Sequence, residues 1–266
     1  MGQRDVLPFK KDRSDTLPAR QMRISVCMAA HNGERFIRAQ LKSILSQLGA
    51  QDEVIVVDDA STDGTSDCIR SFGEARILLI EHHENLGVLR TFESALRKAS
   101  GDLLFLSDQD DLWAPNKVSI VSQVFEQDLD VDLTVSDAAL IDENSVPLLG
   151  SYYEQRGGFQ SGLLANVLHC NYLGCTMAFR RRVRDRALPF PSGSSVLHDL
   201  WIGASNALYG GKTLYIDQPL VLYRRHVNNA TGNRRLTLLH QFRIRWNLCM
   251  SLTLRWLRWH TMVSPS

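Results

Sequence analysis

The stretch EVIVVDDASTDGT, residues 53–65, sets an unbroken β-branched run, Val54–Val57, against two carboxylates and then a turn of Ser, Thr, Asp and Gly. A short aliphatic run bounded by turn residues predicts a strand buried on both faces. Ser61, Thr62 and Asp63 stand where a short helix over 65–72 would need a cap. The same pattern extends outward in both directions. Upstream come ISVCMA (24–29) and an amphipathic stretch over 36–48; downstream come RILLIE (76–81), a second amphipathic stretch over 88–99, and LLFLS (103–107). Strands separated by helices predict an α/β fold with a parallel sheet wound right-handedly. Such sheets bind ligands beyond the carboxyl ends of their strands. The polar clusters AAHNGE (29–34), DDASTDGT (58–65) and SDQDD (107–111) all fall there.

The last cluster holds Asp108, Asp110 and Asp111, three carboxylates in four positions. Carboxylates so close either raise one another's pKa or recruit a cation. Hard oxygen ligands select Mg²⁺ or Mn²⁺, and Mg²⁺ completes its shell with substrate phosphates, which points to a diphosphate substrate. The plainer alternative is a solvated acidic turn in which Asp111 assists the next helix, but a cap needs one Asp rather than three. In the second cluster Asp59 suits a hydrogen bond from a base or ribose. There is no GxxxxGK[ST] or GxGxxG, so metal and side chains must hold the phosphates. Arg90, near a predicted helix start, is a candidate phosphate partner or an ordinary helical arginine.

Thirty Lys and Arg against 29 Asp and Glu leave a net charge of +1, which gives no bulk argument for a nucleic-acid partner. The five cysteines show no metal-site spacing and read as free thiols in a reducing cytoplasm. Residues 1–22, with charges and two prolines, read as a disordered tail rather than an export signal. A helix is predicted from Pro115 to about Gln127, a strand at DLTVS (132–136), a loop over the sheet face in 143–170, a strand at NYLGCTMAF (171–179) and a helix over 198–209. The extension 233–266 is basic and Trp-rich, with a helix over 236–260. That helix suits either peripheral membrane contact, through Trp246, Trp256, Trp259 and its arginines, or packing on protein.

Together SVCMAAHNGERFIRAQLKSIL, EVIVVDDASTDGT and NLGVLRTFESALRKASGDLLFLSDQDDLW resemble the family 2 glycosyltransferases of GT-A fold, over residues 23–232. SDQDDLW, NYLGCTMAFRR, HDLWIG and YRRHVNNATG further resemble the rhamnosyltransferase branch of bacterial surface-polysaccharide synthesis. The resemblance implies a Rossmann-like, mostly parallel sheet flanked by helices, and an enzyme that transfers a sugar with inversion from a nucleoside diphosphate, by implication dTDP-L-rhamnose. The acceptor it implies is a saccharide or a lipid-linked saccharide at the inner membrane face. By the same resemblance Ala30, Asn32, Asp59 and Asp108 bind the nucleotide-sugar, Asp110 and His226 hold the metal, and Asp199 is the catalytic base. Asp199 alone would equally suit a helix N-cap. Relatives carry Glu-Asp where this chain has His198-Asp199, so His198 receives no role. A nucleotidyltransferase is the rival enzyme class, though its Gly-rich loop is missing, and a membrane-associated scaffold without turnover is the non-enzymatic rival.

Overall fold

The computed structural model describes residues 22–169, 172–192, 196–226 and 238–263. The expectations for the tail before Met22 and for 227–237 lie outside these residues. Strands β1 (Ile24–Ala30), β2 (Glu53–Asp58), β3 (Ile77–Glu81) and β4 (Leu103–Asp108) alternate with helices α1 (Glu34–Leu45), α2 (Thr65–Arg70) and α3 (Val88–Lys98). They pair in the order β3-β2-β1-β4, all parallel. Because the chain runs outward from β1 through β2 and β3 and then returns to its other side at β4, a crevice opens between the ends of β1 and β4. The register brings Asp58 level with Ala30 and Asp108 level with Ala29, so the three polar clusters open on one edge.

The remainder comprises β5 (Leu112–Trp113), α4 (Lys117–Gln127), β6 (Val131–Ile141), β7 (Pro147–Leu149), α5 (Leu163–His169), β8 (Met177–Arg180), α6 (Arg181–Ala187), α7 (His198–Leu208), β9 (Lys212–Arg224) and α8 (Leu238–Val263). Beyond β4 the sheet is mixed: β8 is antiparallel to β4 and β6, β9 is parallel to β6, and β5 is antiparallel to β9. The core is the aliphatic filling of the central strands, with Val26, Ile55, Val57, Leu104 and Leu106 fully buried.

Four segments differ from the sequence reading. The strand expected over 171–179 is short, Met177–Arg180, and follows a 3₁₀ turn at Gly174–Thr176. The strand expected over 132–136 runs to Ile141 because β9 pairs along its whole length. β9 itself was not anticipated: Asp217 and Pro219 interrupt its pattern, and the register shifts around Asp137 accommodate them as a bulge, where proline is tolerated. The 143–170 segment is tied down rather than draped. Asp137 Oδ1 accepts from the Tyr152 and Tyr153 N–H groups, and the buried Tyr153 ring packs edge-on to Phe159 and Tyr215.

Helix α8 lies on α5 and α7 through Ile244, Leu248 and Leu252. The Arg255 guanidinium donates to the carbonyls of Ala187 (2.8 Å) and Leu188 (2.7 Å) and sits over the Trp201 ring. One face of α8 therefore packs on protein. The opposite face, with Phe242, Trp246, Met250 and Leu257, is exposed. The described cysteines Cys27, Cys68, Cys175 and Cys249 are free thiols. Among the described residues, no helix is long and apolar enough to cross a membrane.

Candidate active site

The crevice is built from loops that hold one another. After β1 the chain turns at Asn32, in the left-handed region at φ 50°. Asn32 Oδ1 accepts from the Thr62 N–H at 2.8 Å and its own N–H donates to Ser61 Oγ at 2.9 Å, which ties the first loop to the second. Gln109 clamps the first loop to the third: its Oε1 accepts from the His31 N–H at 2.9 Å and its Nε2 donates to the His31 carbonyl at 2.8 Å. The buried Ala30 accepts from the Asp59 N–H at 2.8 Å.

Asp59 has a structural task that sequence reading did not supply. Its Oδ1 accepts from the Leu86 N–H at 2.9 Å and lies 2.8 Å from His82 Nδ1, while Oδ2 accepts from the Gly87 N–H at 2.8 Å. Gly87 has φ 82°, which a side chain would strain, so glycine lets the loop present that N–H. Burial pushes the Asp59 carboxyl up, but the hydrogen bonds from His82, Leu86 and Gly87 outweigh it and leave the pKa below the ordinary carboxylate range. A carboxylate depressed in the native state adds stability above its unfolded pKa, and that stability is lost as pH falls through the native value. Asp59→Asn should therefore destabilise the protein by about 1–3 kcal/mol at neutral pH. Urea melts at pH 7 and pH 3 check this, with the gap from wild type narrowing at the lower pH, which lies below the unfolded pKa. In the second cluster the N-cap position of α2 is Gly64, and Asp63 just before it accepts from the Thr65 N–H with Oδ1 at 3.0 Å.

At the end of β4 the three carboxylates diverge. Asp108 is half-buried. Its carboxyl is pushed up to about 7 by burial first, then by the charges of Asp110 and Asp199, with the Lys117 ammonium opposing. Asp111 is fully buried, its Oδ1 accepting from the Arg224 N–H at 2.9 Å, and burial with the two neighbouring Asp charges lifts its pKa well above the ordinary range. Asp110 is half-buried, with His226 Nε2 2.6 Å from its Oδ2 and the His226 ring stacked on Phe36. The expected metal pair is thus brought together from the two ends of the domain.

Two buried cations support this turn, and sequence reading passed over both. Lys117 donates to the Cys175 carbonyl at 2.7 Å with its ammonium 4.2 Å from the Trp113 ring centre. Arg224 donates from Nε to the Asp110 carbonyl at 2.7 Å and from NH1 to the Asp142 carbonyl at 2.9 Å. Proximity of Lys117 to the DQDD run was the available signal. For Arg224 the only signal was its place two residues before His226.

Asp199 lies inside the first turn of α7, whose N-cap position is Leu197, and its Oδ1 accepts from the Leu200 N–H at 2.7 Å. It is therefore not the N-cap residue. His198 beside it stacks on Phe92, ring centres 4.0 Å apart, and burial lowers its pKa against the pull of Asp199. Gly174 makes room for that ring, because a Cβ there would stand 2.6 Å from His198 Nε2. Arg90 is held by its own helix and the neighbouring segment: it pairs with Glu93 and donates to the Pro191 carbonyl and Ser192 Oγ, both at 3.2 Å.

Comparison with known proteins agrees with this architecture. Among solved structures, S. aureus TarS 1-349 in complex with UDP-GlcNAc superposes with a TM-score of 0.68 at 17% identity, over 88% of this chain and 66% of that one. The mannosyltransferase PcManGT from Pyrobaculum calidifontis, in complex with GDP-Man and Mn²⁺, superposes with a TM-score of 0.60 at 18% identity, over 94% and 78%. These likenesses establish the GT-A fold. In sequence, the Escherichia coli UDP-Glc:alpha-D-GlcNAc-diphosphoundecaprenol beta-1,3-glucosyltransferase WfaP is 25% identical over 82% of this chain and 83% of its own length. WfgD of the same species, with the same named activity, is 27% identical over 67% and 68%. The description "Glycosyl transferase family 2" matches residues 25–187, from the second residue of β1 to the end of α6. With that span covering well over half its length, the chain belongs to glycosyl transferase family 2.

Proposed function

We propose that this glycosyltransferase moves a hexose, with inversion, from a nucleoside diphosphate to a saccharide carried on a lipid diphosphate, in the synthesis of a surface polysaccharide. The observation that carries the reading is the meeting of Asp199 with the acidic turn: its charge, far along the chain, adds to the field that lifts Asp108. A base and a diphosphate-holding turn on one crevice are what a single displacement requires. The named activities of WfaP and WfgD support the lipid-linked acceptor.

The donor set fits a divalent cation. Asp110 and His226 offer oxygen and imidazole ligands 2.6 Å apart, and the charge of Asp110 acts on the Asp108 carboxyl, which a nearby cation would hold in its charged form. Asp110 and His226 would hold the Mg²⁺ or Mn²⁺. When bound, it neutralises charge on the departing diphosphate. The chain's own groups do the rest. Asp199 takes the proton from the acceptor hydroxyl, Asp108 contacts the donor, and the Ala30–Asn32 loop with Asp59 shapes the nucleoside end. Arg90 reaches the phosphate only by exchanging Pro191 and Ser192 for it.

The test is transfer by the purified chain from dTDP-L-rhamnose, the donor of the family branch it resembles, from UDP-Glc, the donor named for both E. coli relatives, and from GDP-Man, onto GlcNAc-diphospholipid. One nucleotide class should be used, and NMR of the product should show an inverted anomeric centre. Retention of configuration would overturn the single displacement.

The acceptor places the reaction at a membrane surface, and residues 218–266 suit it: they contain eight arginines and no Asp or Glu. The full chain should cosediment with phosphatidylglycerol vesicles, and the Phe242→Ser, Trp246→Ser double variant should lose most of that binding. Equal binding by the variant would remove α8 from the membrane contact.

A further inference from the structure

Helices α5, α7 and α8 border an open apolar groove of about 360 Å³ that the chemistry above does not use. Leu163, Val167, Leu208, Cys249, Leu252 and Trp256 line it, with Thr253 as the single hydroxyl. Thr253 Oγ1 already donates to the Cys249 carbonyl at 2.9 Å. A saccharide placed there would lose the hydrogen bonds its hydroxyls make with water and gain almost none. A hydrocarbon chain loses nothing by entering, so the lining selects hydrocarbon.

We infer that this groove binds the isoprenoid chain of the lipid-linked acceptor, an inference that rests on the acceptor proposed above. Three observations favour that occupant. The groove is an open apolar furrow bordered by three helices, a surface along which a single hydrocarbon chain can lie. It runs onto exposed apolar surface: Leu164 on α5 is 72% exposed, and Trp246 and Met250 on α8 are 57% and 47% exposed. A chain leaving the groove therefore continues over apolar side chains toward a membrane. The third is its relation to the site: α7 begins with His198 and Asp199 and ends at Leu208, in the groove wall. Nine residues of helix separate base and groove by about 14 Å along the axis. One sugar ring and a diphosphate bridge a gap of that order.

The experiment compares GlcNAc-diphosphate on a farnesyl chain with the same head group on a five-carbon dimethylallyl chain. The enzymes are wild type and two groove-filling variants, Cys249→Trp and Thr253→Trp, both at exposed positions outside the core. For wild type the farnesyl acceptor should have a KM lower by about tenfold or more, since each buried methylene contributes several-fold. In the variants the two KM values should converge, with kcat and the dimethylallyl KM unchanged. A variant that keeps the full preference for farnesyl overturns the proposal. So does a wild-type dimer in sedimentation equilibrium that the variants abolish, because the groove would then hold a second copy. If wild type uses neither acceptor, the functional reading has failed, and calorimetric titration with farnesyl monophosphate decides the groove by itself. Binding lost in both variants supports it, and no binding to wild type overturns it.

Discussion

Asp199→Asn is expected to lower kcat by about 10²- to 10⁴-fold, the range a positioned general base contributes. The substitution is close to isosteric and keeps an oxygen to accept from the Leu200 N–H, so the first turn of α7 should form as before. What it removes is the capacity to take a proton, together with one of the charges that lift Asp108. Donor affinity should hold or improve slightly, because a negative charge near the diphosphate is gone. Steady-state kinetics with isothermal titration of the nucleotide check both halves. A fall in donor affinity as large as the fall in kcat would make Asp199 a binding residue. An unchanged kcat would return it to the plain role of an acidic residue in a helix's first turn.

Asp110→Asn is expected to abolish the coupling between metal and nucleotide. In wild type, a nucleoside diphosphate with Mn²⁺ at a hundred times its Kd should stabilise the protein by about 2.7 kcal/mol. For a domain of this size that raises Tm by roughly 5–10 °C, at about 2–4 °C per kcal/mol. Nucleotide with chelator should give much less. In the variant the two conditions should coincide, because the amide is a poor ligand for a hard cation while it still offers His226 a hydrogen-bond partner. Equal stabilisation of wild type with Mn²⁺ and with chelator would remove the metal from the mechanism. Retained coupling in the variant would move the ligand role to another carboxylate, and Asp108 is the neighbour placed to take it.

The parallel half of the sheet was legible because its signals are local. Each strand from β1 to β4 is an aliphatic run closed by turn residues, and each helix between them buries one face against the sheet. The edge on which the polar clusters gather followed from topology, since loops after parallel strands collect at one end. The second half was less legible. β9 carries Pro219 and Asp217 in its middle and is a strand because β6 pairs with it around a bulge, which is a non-local cause. The loop after β7 reads as irregular, yet Asp137 and a cluster of aromatic rings hold it in place.

By itself the sequence determined the α/β order from Ile24 to Asp108, the crowding of Asp108, Asp110 and Asp111, and the basic, acid-free character of 218–266, because each is a property of neighbours along the chain. Only the tertiary structure decided the surroundings of each carboxylate. It buried Asp111 under the Arg224 N–H, set Lys117 beneath the turn, closed Asp59 on the loop before α3, and brought His226 to Asp110 across 116 residues. Charge and hydrogen bonding act through space and depend on burial, so the same three aspartates differ in partners and in proton affinity once the fold has determined which of them water can reach.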